Sequence, residues 1–138
     1  MKALTISQPF ASLISDGSKY IENRRWPTNY RGELAIHAGK GTQYLDKEEL
    51  KEYATSCVVA VAKLAACVTL DVIRAKAHSA ERNNVIPGTS KTWAEACEHP
   101  HAEGPWCWIL EDVRASEHVP MRGAQGLWGV VLPQVSST

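Results

Sequence analysis

The chain has 138 residues, 44% hydrophobic and 22% charged, with 15 basic residues balanced by 15 acidic ones. That is enough chain to bury a core as one domain without covalent staples. The neutral balance excludes a generic nucleic-acid coater, whose affinity rests on cations set against phosphates.

In chain order, KALTI reads as a short apolar strand. SQPFASLISDG follows as a short helix, with Ser7 as its cap, Pro9 in a first turn where a missing donor costs nothing, and Gly17 ending it in the left-handed region. Phe10, Leu13 and Ile14 form its apolar face. KYIENRRW is extended, PTNYRG is a turn, and ELAIHA is the return strand. After an AGKG elbow, LDKEELKEYA carries helix-start chemistry: Asp46 as cap, Glu49 three residues on, Leu45 stapling Leu50, and an otherwise solvated face. The valine-rich CVVAVAKLAACVTLDVI is expected to be one long buried strand, bent near Lys63. Arg74 to Glu103 is polar and loop-like, with a short helix around Thr92 to Cys97. PWCWILEDV is another apolar strand, and VPMRGAQGLWGVVLP is a glycine-rich loop entering a closing strand. Several strands with a few short helices imply an α+β fold, a small mostly antiparallel β-barrel decorated with short helices. The expected organisation is a single domain over residues 1–135 and a frayed tail over 136–138.

No run of about 18 apolar residues is present to span a bilayer. The start MKALTISQPF lacks the basic-then-apolar pattern of a signal peptide. The four cysteines form no C-x-x-C pair, and three sit in apolar stretches. Reduced thiols, a cytoplasmic location and no membrane partner are therefore expected.

The stretch DGSKYIENRRW concentrates charge without an obvious structural need. On a regular strand Glu22 and Arg24 share a side and Lys19 takes the other. Lys19 comes just after the glycine that ends the helix, so the three can still converge. The plain alternative is an exposed, salt-bridged strand worth little stability.

Gly17, Lys19, Glu22 and Arg24 fit G-x-K-x-x-E-x-R, set between ALTISQPFASLI and WPTNYRGELAIHA. With VVAVAKLAACVTL, GPWCWILEDVR and RGAQGLW, this pattern resembles the ASCH domain family, whose fold is similar to the RNA-binding PUA barrel. The resemblance runs through nearly the whole chain and implies a PUA-like barrel with a cleft lined by the motif. It also implies one of three roles: an amidohydrolase removing acyl groups from the exocyclic amine of cytidine, a ribonuclease, or a nucleic-acid-binding module. In one amidohydrolase branch a threonine, thought to be the nucleophile, stands where this chain has Glu22, which puts a covalent threonine mechanism in doubt.

A glutamate beside a lysine offers another route. Glu22 would activate a water, Lys19 or Arg24 would stabilise the oxyanion, and Lys19 would protonate the leaving amine. This route calls for no metal and no cofactor. Ser7 is a weaker candidate nucleophile. For the substrate, Trp26, Tyr30 and Trp128 are candidate stacking platforms, with Arg31 beside them, and Gln8 or Gln125 would read an amide-bearing pyrimidine edge. Core packing or turn anchoring is the plain alternative for each aromatic. His37 follows apolar Leu34–Ala35–Ile36 and reads as a satisfied interior histidine. Cys97, His99 and His101 in EACEHPHAE lack the distant second ligand pair of a zinc site, so this segment reads as an exposed loop. The expected partner is a small nucleoside substrate. The alternative is single-stranded RNA, held in a groove lined by Arg24, Arg25, Arg31, Lys40 and Arg122.

Overall fold

The structure, a computed structural model, describes residues 1–133. The frayed tail expected at 136–138, and the last two residues of the expected domain, lie outside the described residues. The elements are β1 (Lys2–Ile6), α1 (Phe10–Ser15), β2 (Ile21–Arg24), β3 (Gly32–Ala38), α2 (Glu49–Glu52), β4 (Cys57–Thr69), α3 (Leu70–Ala77), α4 (Trp93–Glu98), β5 (Trp106–Pro120) and β6 (Leu127–Gly129). The strands form a six-stranded sheet in the order β2-β5-β4-β3-β1-β6. Two compact units divide the chain: Met1–Asp16, Glu33–Ala62 and the chain from Val113 make the first, and Gly17–Gly32 with Lys63–Asp112 make the second.

In the first unit β1 pairs with β3 in parallel and with β6 in antiparallel fashion. Paired residues share a face, so Ala3, Ala35 and Trp128 lie on one side, followed along the strands by Thr5 and His37. Ala3, Ala35 and Val58 form a small core there, covered by Val119, Met121, Trp128 and Val130. ELAIHA is therefore not the return strand of a hairpin with KYIENRRW; it pairs with β1, and β2 pairs with β5. The short PTNYRG segment suits a hairpin turn, but parallel pairing with KALTI buries Leu34, Ala35 and Ile36 completely.

The cap of α1 also departs from expectation. Pro9 occupies the cap position, and it is the Gln8 side chain that accepts the Ser12 N–H at 3.0 Å. The anticipated reciprocal pair before α2 is present: Asp46 N–H donates to Glu49 Oε1 at 3.1 Å, and Glu49 N–H donates to Asp46 Oδ1 at 2.8 Å. Leu50 stays 47% exposed, so no staple shields it.

The second unit has its own core of Ile21, Ala66, Leu70, Ile73, Ile86, Trp93, Ala96, Cys107 and Ile109. LDVI is not the end of a strand, as the run of β-branched residues implied, but the start of α3. Thr69 stops the strand by capping that helix, accepting the Val72 N–H at 3.2 Å. α4 is the short helix anticipated around Thr92 to Cys97; it begins with a full capping box of Thr92 and Glu95, which was not singled out in the sequence, and it packs on α3. β5 runs well past PWCWILEDV, to Pro120. Cys57 and Cys107 are buried, Cys67 and Cys97 half-buried, and all four are free thiols. Among the described residues no helix is long and apolar enough to cross a membrane.

Candidate active site

The antiparallel ladder of β2 with β5 sets the chemistry of the second unit. Ile21 and Asn23 face Ile109 and Cys107 on the core side, so Glu22 and Arg24 share the opposite face with Trp108 and Trp106. Lys19 precedes the strand, is not bound by its alternation, and turns onto the face of Glu22. Its ammonium lies 3.3 Å from Glu22 Oε1, while Arg24 Nη2 lies 3.0 Å from Glu22 Oε2. Lys19 Nζ also donates to the Ile21 carbonyl. The Lys19 and Glu22 side chains are 3% and 10% exposed, so this is a buried cluster and not the solvated strand of the plain alternative. A carboxylate accepts at about four lone-pair positions, so two cations leave it capacity for a water.

Trp26 is the aromatic companion of this cluster. Its ring meets Trp108, the register partner of Glu22, edge-on at 4.8 Å, and Trp108 Nε1–H donates to the Trp26 carbonyl at 3.2 Å. Trp26 is 36% exposed. Tyr30 and Arg31 lie in the turn after it. Arg31 donates to the carbonyls of Thr28 and Tyr30, at 2.9 and 2.8 Å, so its guanidinium braces the turn.

The remaining sequence candidates lie in the first unit. Gln8 is fully buried, and its amide is committed there: Nε2 donates to Ser12 Oγ and to the Ala54 carbonyl, each at 2.8 Å. That leaves it an anchor of α1 instead of a reader of a pyrimidine edge. Ser7 is half-buried beside it, and its carbonyl accepts the Ala11 N–H. Trp128 donates its indole N–H to Thr5 Oγ1 at 3.2 Å and packs edge-on against His37 at 5.4 Å. Gln125 lines a cleft in this unit together with Lys40 and Arg122. His37 is the satisfied interior histidine anticipated: 1% exposed, it bonds to the Met121 carbonyl at 2.8 Å and to Thr5 Oγ1 at 3.2 Å.

Sequence reasoning missed the neighbours that EACEHPHAE supplies. Asn23, inside the motif, pins this segment: its Nδ2 donates to the His101 carbonyl at 2.8 Å, and its Oδ1 accepts from Glu103 and Gly104 N–H. His99 is thereby packed edge-on against Tyr20 at 4.1 Å, within electrostatic reach of Lys19. Its Nδ1 accepts the His101 N–H at 3.0 Å. Burial first, then the charges of His101 and Lys19, hold the His99 pKa below its ordinary 6.5. Tyr20, with Lys91 Nζ 4.8 Å from its ring centroid, has its phenol pushed up to about 12 by burial and by Glu95. The two histidines were the only signal available, and spacing alone could not bring them back to β2. Among the described residues no three or more His, Cys, Asp or Glu side chains gather as metal ligands.

The ASCH domain family model matches residues 4–119 of the chain. Among solved structures, the chain is similar to ASCH from Zymomonas mobilis, with a TM-score of 0.55 at 16% identity over 94% of this chain and 87% of that one. A tyrosine-to-phenylalanine mutant of that protein gives a TM-score of 0.54 at 14% identity, over 94% of this chain and 89% of that one. A serine-to-alanine mutant gives 0.54 at 14%, over 94% and 87%. None of the curated proteins matches the chain. At such identity the likeness shows the fold, an α+β fold of the PUA-like kind, as the sequence implied.

Proposed function

The chain belongs to the ASCH domain family, and from that premise we propose that it is an amidohydrolase removing acyl groups from the exocyclic amine of cytidine or cytosine derivatives. The observation that carries this reading is the Lys19–Glu22–Arg24 cluster, an ammonium and a carboxylate 3.3 Å apart out of water. Charged groups fixed in advance in a dry site act on developing charge without reorganising.

The steps balance on side chains alone. A water oxygen attacks the acyl carbonyl carbon as Glu22 takes its proton. The resulting oxyanion is stabilised by Arg24 or Lys19. As the C–N bond breaks, Lys19 gives a proton to the departing amine, and the proton held by Glu22 returns to Lys19 across their contact. The products are a free carboxylic acid and the unacylated base. Trp26, 36% exposed and edge-on to Trp108, is the platform on which a pyrimidine would stack.

A second reading is the handling of single-stranded RNA, by binding or by cleavage, favoured by exposed Arg25 next to the cluster in the sequence. Incubating the protein separately with N4-acylated cytidine and with single-stranded RNA, and resolving products by chromatography, decides between them. The proposal expects cytidine and free acid from the first and intact RNA from the second. Cleaved RNA, or RNA binding that weakens steeply with salt, beside an untouched nucleoside would replace it.

A further inference from the structure

We propose that the cleft of the first unit is a second ligand site, which takes the phosphate monoester of a small organic molecule between Lys40 and Arg122. It uses neither Lys19 nor Glu22 and does not rest on the hydrolytic reading.

The cleft has a volume of about 370 Å³ and is lined by Lys40, Ser56, Arg122 and Gln125 together with Thr5 and His37. Clefts from roughly 300 Å³ upward are the size that small ligands occupy. No aspartate or glutamate is among its lining residues, so two cations face it without an acid to neutralise them. A phosphate monoester carries about −1.5 to −2 at neutral pH, matching that pair. A carboxylate or a phosphodiester brings only one charge.

The walls are fixed in advance. Gly39 N–H donates to the Ile6 carbonyl at 2.9 Å, Ser56 N–H to the Ala38 carbonyl at 2.8 Å, and Met121 N–H to the Ser56 carbonyl at 3.0 Å. Two of the lining residues, Thr5 and His37, belong to a hydrogen-bonded chain. The Met121 carbonyl only accepts, so His37 Nε2 carries its proton. In the neutral ring Nδ1 is then the acceptor for Thr5 O–H, while Trp128 N–H donates to the same oxygen. Among the lining residues the donors that an anion would meet are Lys40, Arg122, the Ser56 hydroxyl and the Gln125 amide. Gly123 is what lets the wall close on the Thr5–His37 pair. A Cβ there would stand 2.7 Å from both His37 Cε1 and Thr5 Oγ1. Fixed walls reduce the ordering cost of binding, and that favours a discrete small anion.

The test is calorimetric titration with phenyl phosphate, with methyl phenyl phosphate as the diester control and a short single-stranded RNA without terminal phosphates as the polymer control. Saturable one-to-one binding of the monoester is expected, with inorganic phosphate competing. Lys40→Ala and Arg122→Ala, both changes of exposed side chains, should each weaken it about tenfold, in line with losing one charge-assisted hydrogen bond. Glu22→Gln should leave it unchanged. Absent binding, undiminished binding in the Lys40→Ala/Arg122→Ala double variant, or a preference for the diester or the RNA would each overturn the proposal.

Discussion

Lys19 Nζ sits 3.3 Å from Glu22 Oε1 although the two residues lie on different structural registers, one before β2 and one within it. The sheet fixes only Glu22, and the lysine reaches it because the chain is still turning out of the Gly17 bend, where φ is +86°.

That contact has a measurable cost when halved. Lys19→Met or Glu22→Gln should each destabilise the protein by about 3 kcal/mol or more, since each strands a buried charge or polar group. The Lys19→Met/Glu22→Gln double variant should lose clearly less than the sum of the singles. Urea denaturation of the four proteins measures this; additive losses would mean the two groups are not energetically paired.

His99 gives a pH dependence of known sign. Its folded-state pKa is depressed, so the unfolded chain binds the proton more readily. The stability that this contributes is complete above the ordinary histidine value of 6.5 and declines as pH falls through it towards the depressed folded value. Replacing His99 by Gln should flatten the stability profile on the acid side of 6.5 relative to wild type. An NMR titration of the His99 ring midpoint at or above 6.5 would contradict this.

Gly123 and Gly129 make a matched pair. An added Cβ at 123 meets the His37 ring and Thr5 hydroxyl at 2.7 Å, whereas at 129 it meets nothing within 4 Å. Gly123→Ala should cost about 1–3 kcal/mol through overpacking, and Gly129→Ala should stay within about 0.5 kcal/mol of wild type. Thermal melts of both variants provide the comparison.

Thr92→Ala should cost about 1 kcal/mol, because it removes the hydroxyl that accepts the Glu95 N–H at 3.1 Å at the start of α4. An equal effect from Asp46→Ala is not expected: α2 is a single exposed turn with no buried residue, so its fraying exposes little. Denaturation midpoints of the two variants should separate accordingly.

Burial pushes the Cys107 thiol up to about 11 and the Cys57 thiol above its usual value. Native-state alkylation near neutral pH should therefore modify Cys67 and Cys97 well before either of them. Mass spectrometry of partially labelled protein reads the order, and early labelling of Cys107 would contradict it.

Local signals were the legible part of the sequence. The Asp46–Glu49 pair and the Gly17 turn are each written in a few neighbouring residues, and each is present. The motif was legible because its side chains lie close along the chain. What was not legible depended on distant partners. The parallel pairing of ELAIHA with KALTI, the conversion of LDVI from strand to helix at Thr69, and the return of His99 beside Tyr20 all arise from tertiary packing. Gln8 illustrates the same limit: its amide looked available for a base, and only the fold shows it spent on Ser12 and Ala54.

The central claim, that Lys19 and Glu22 act together as acid and base on an acylated exocyclic amine, is tested most directly by kcat/KM for N4-acetylcytidine in wild type and Glu22→Gln. Both proteins are first shown to be folded by circular dichroism at the assay temperature. The account predicts measurable release of cytidine by wild type and a loss of about 100-fold or more in the variant. Equal rates in the two folded proteins would contradict it.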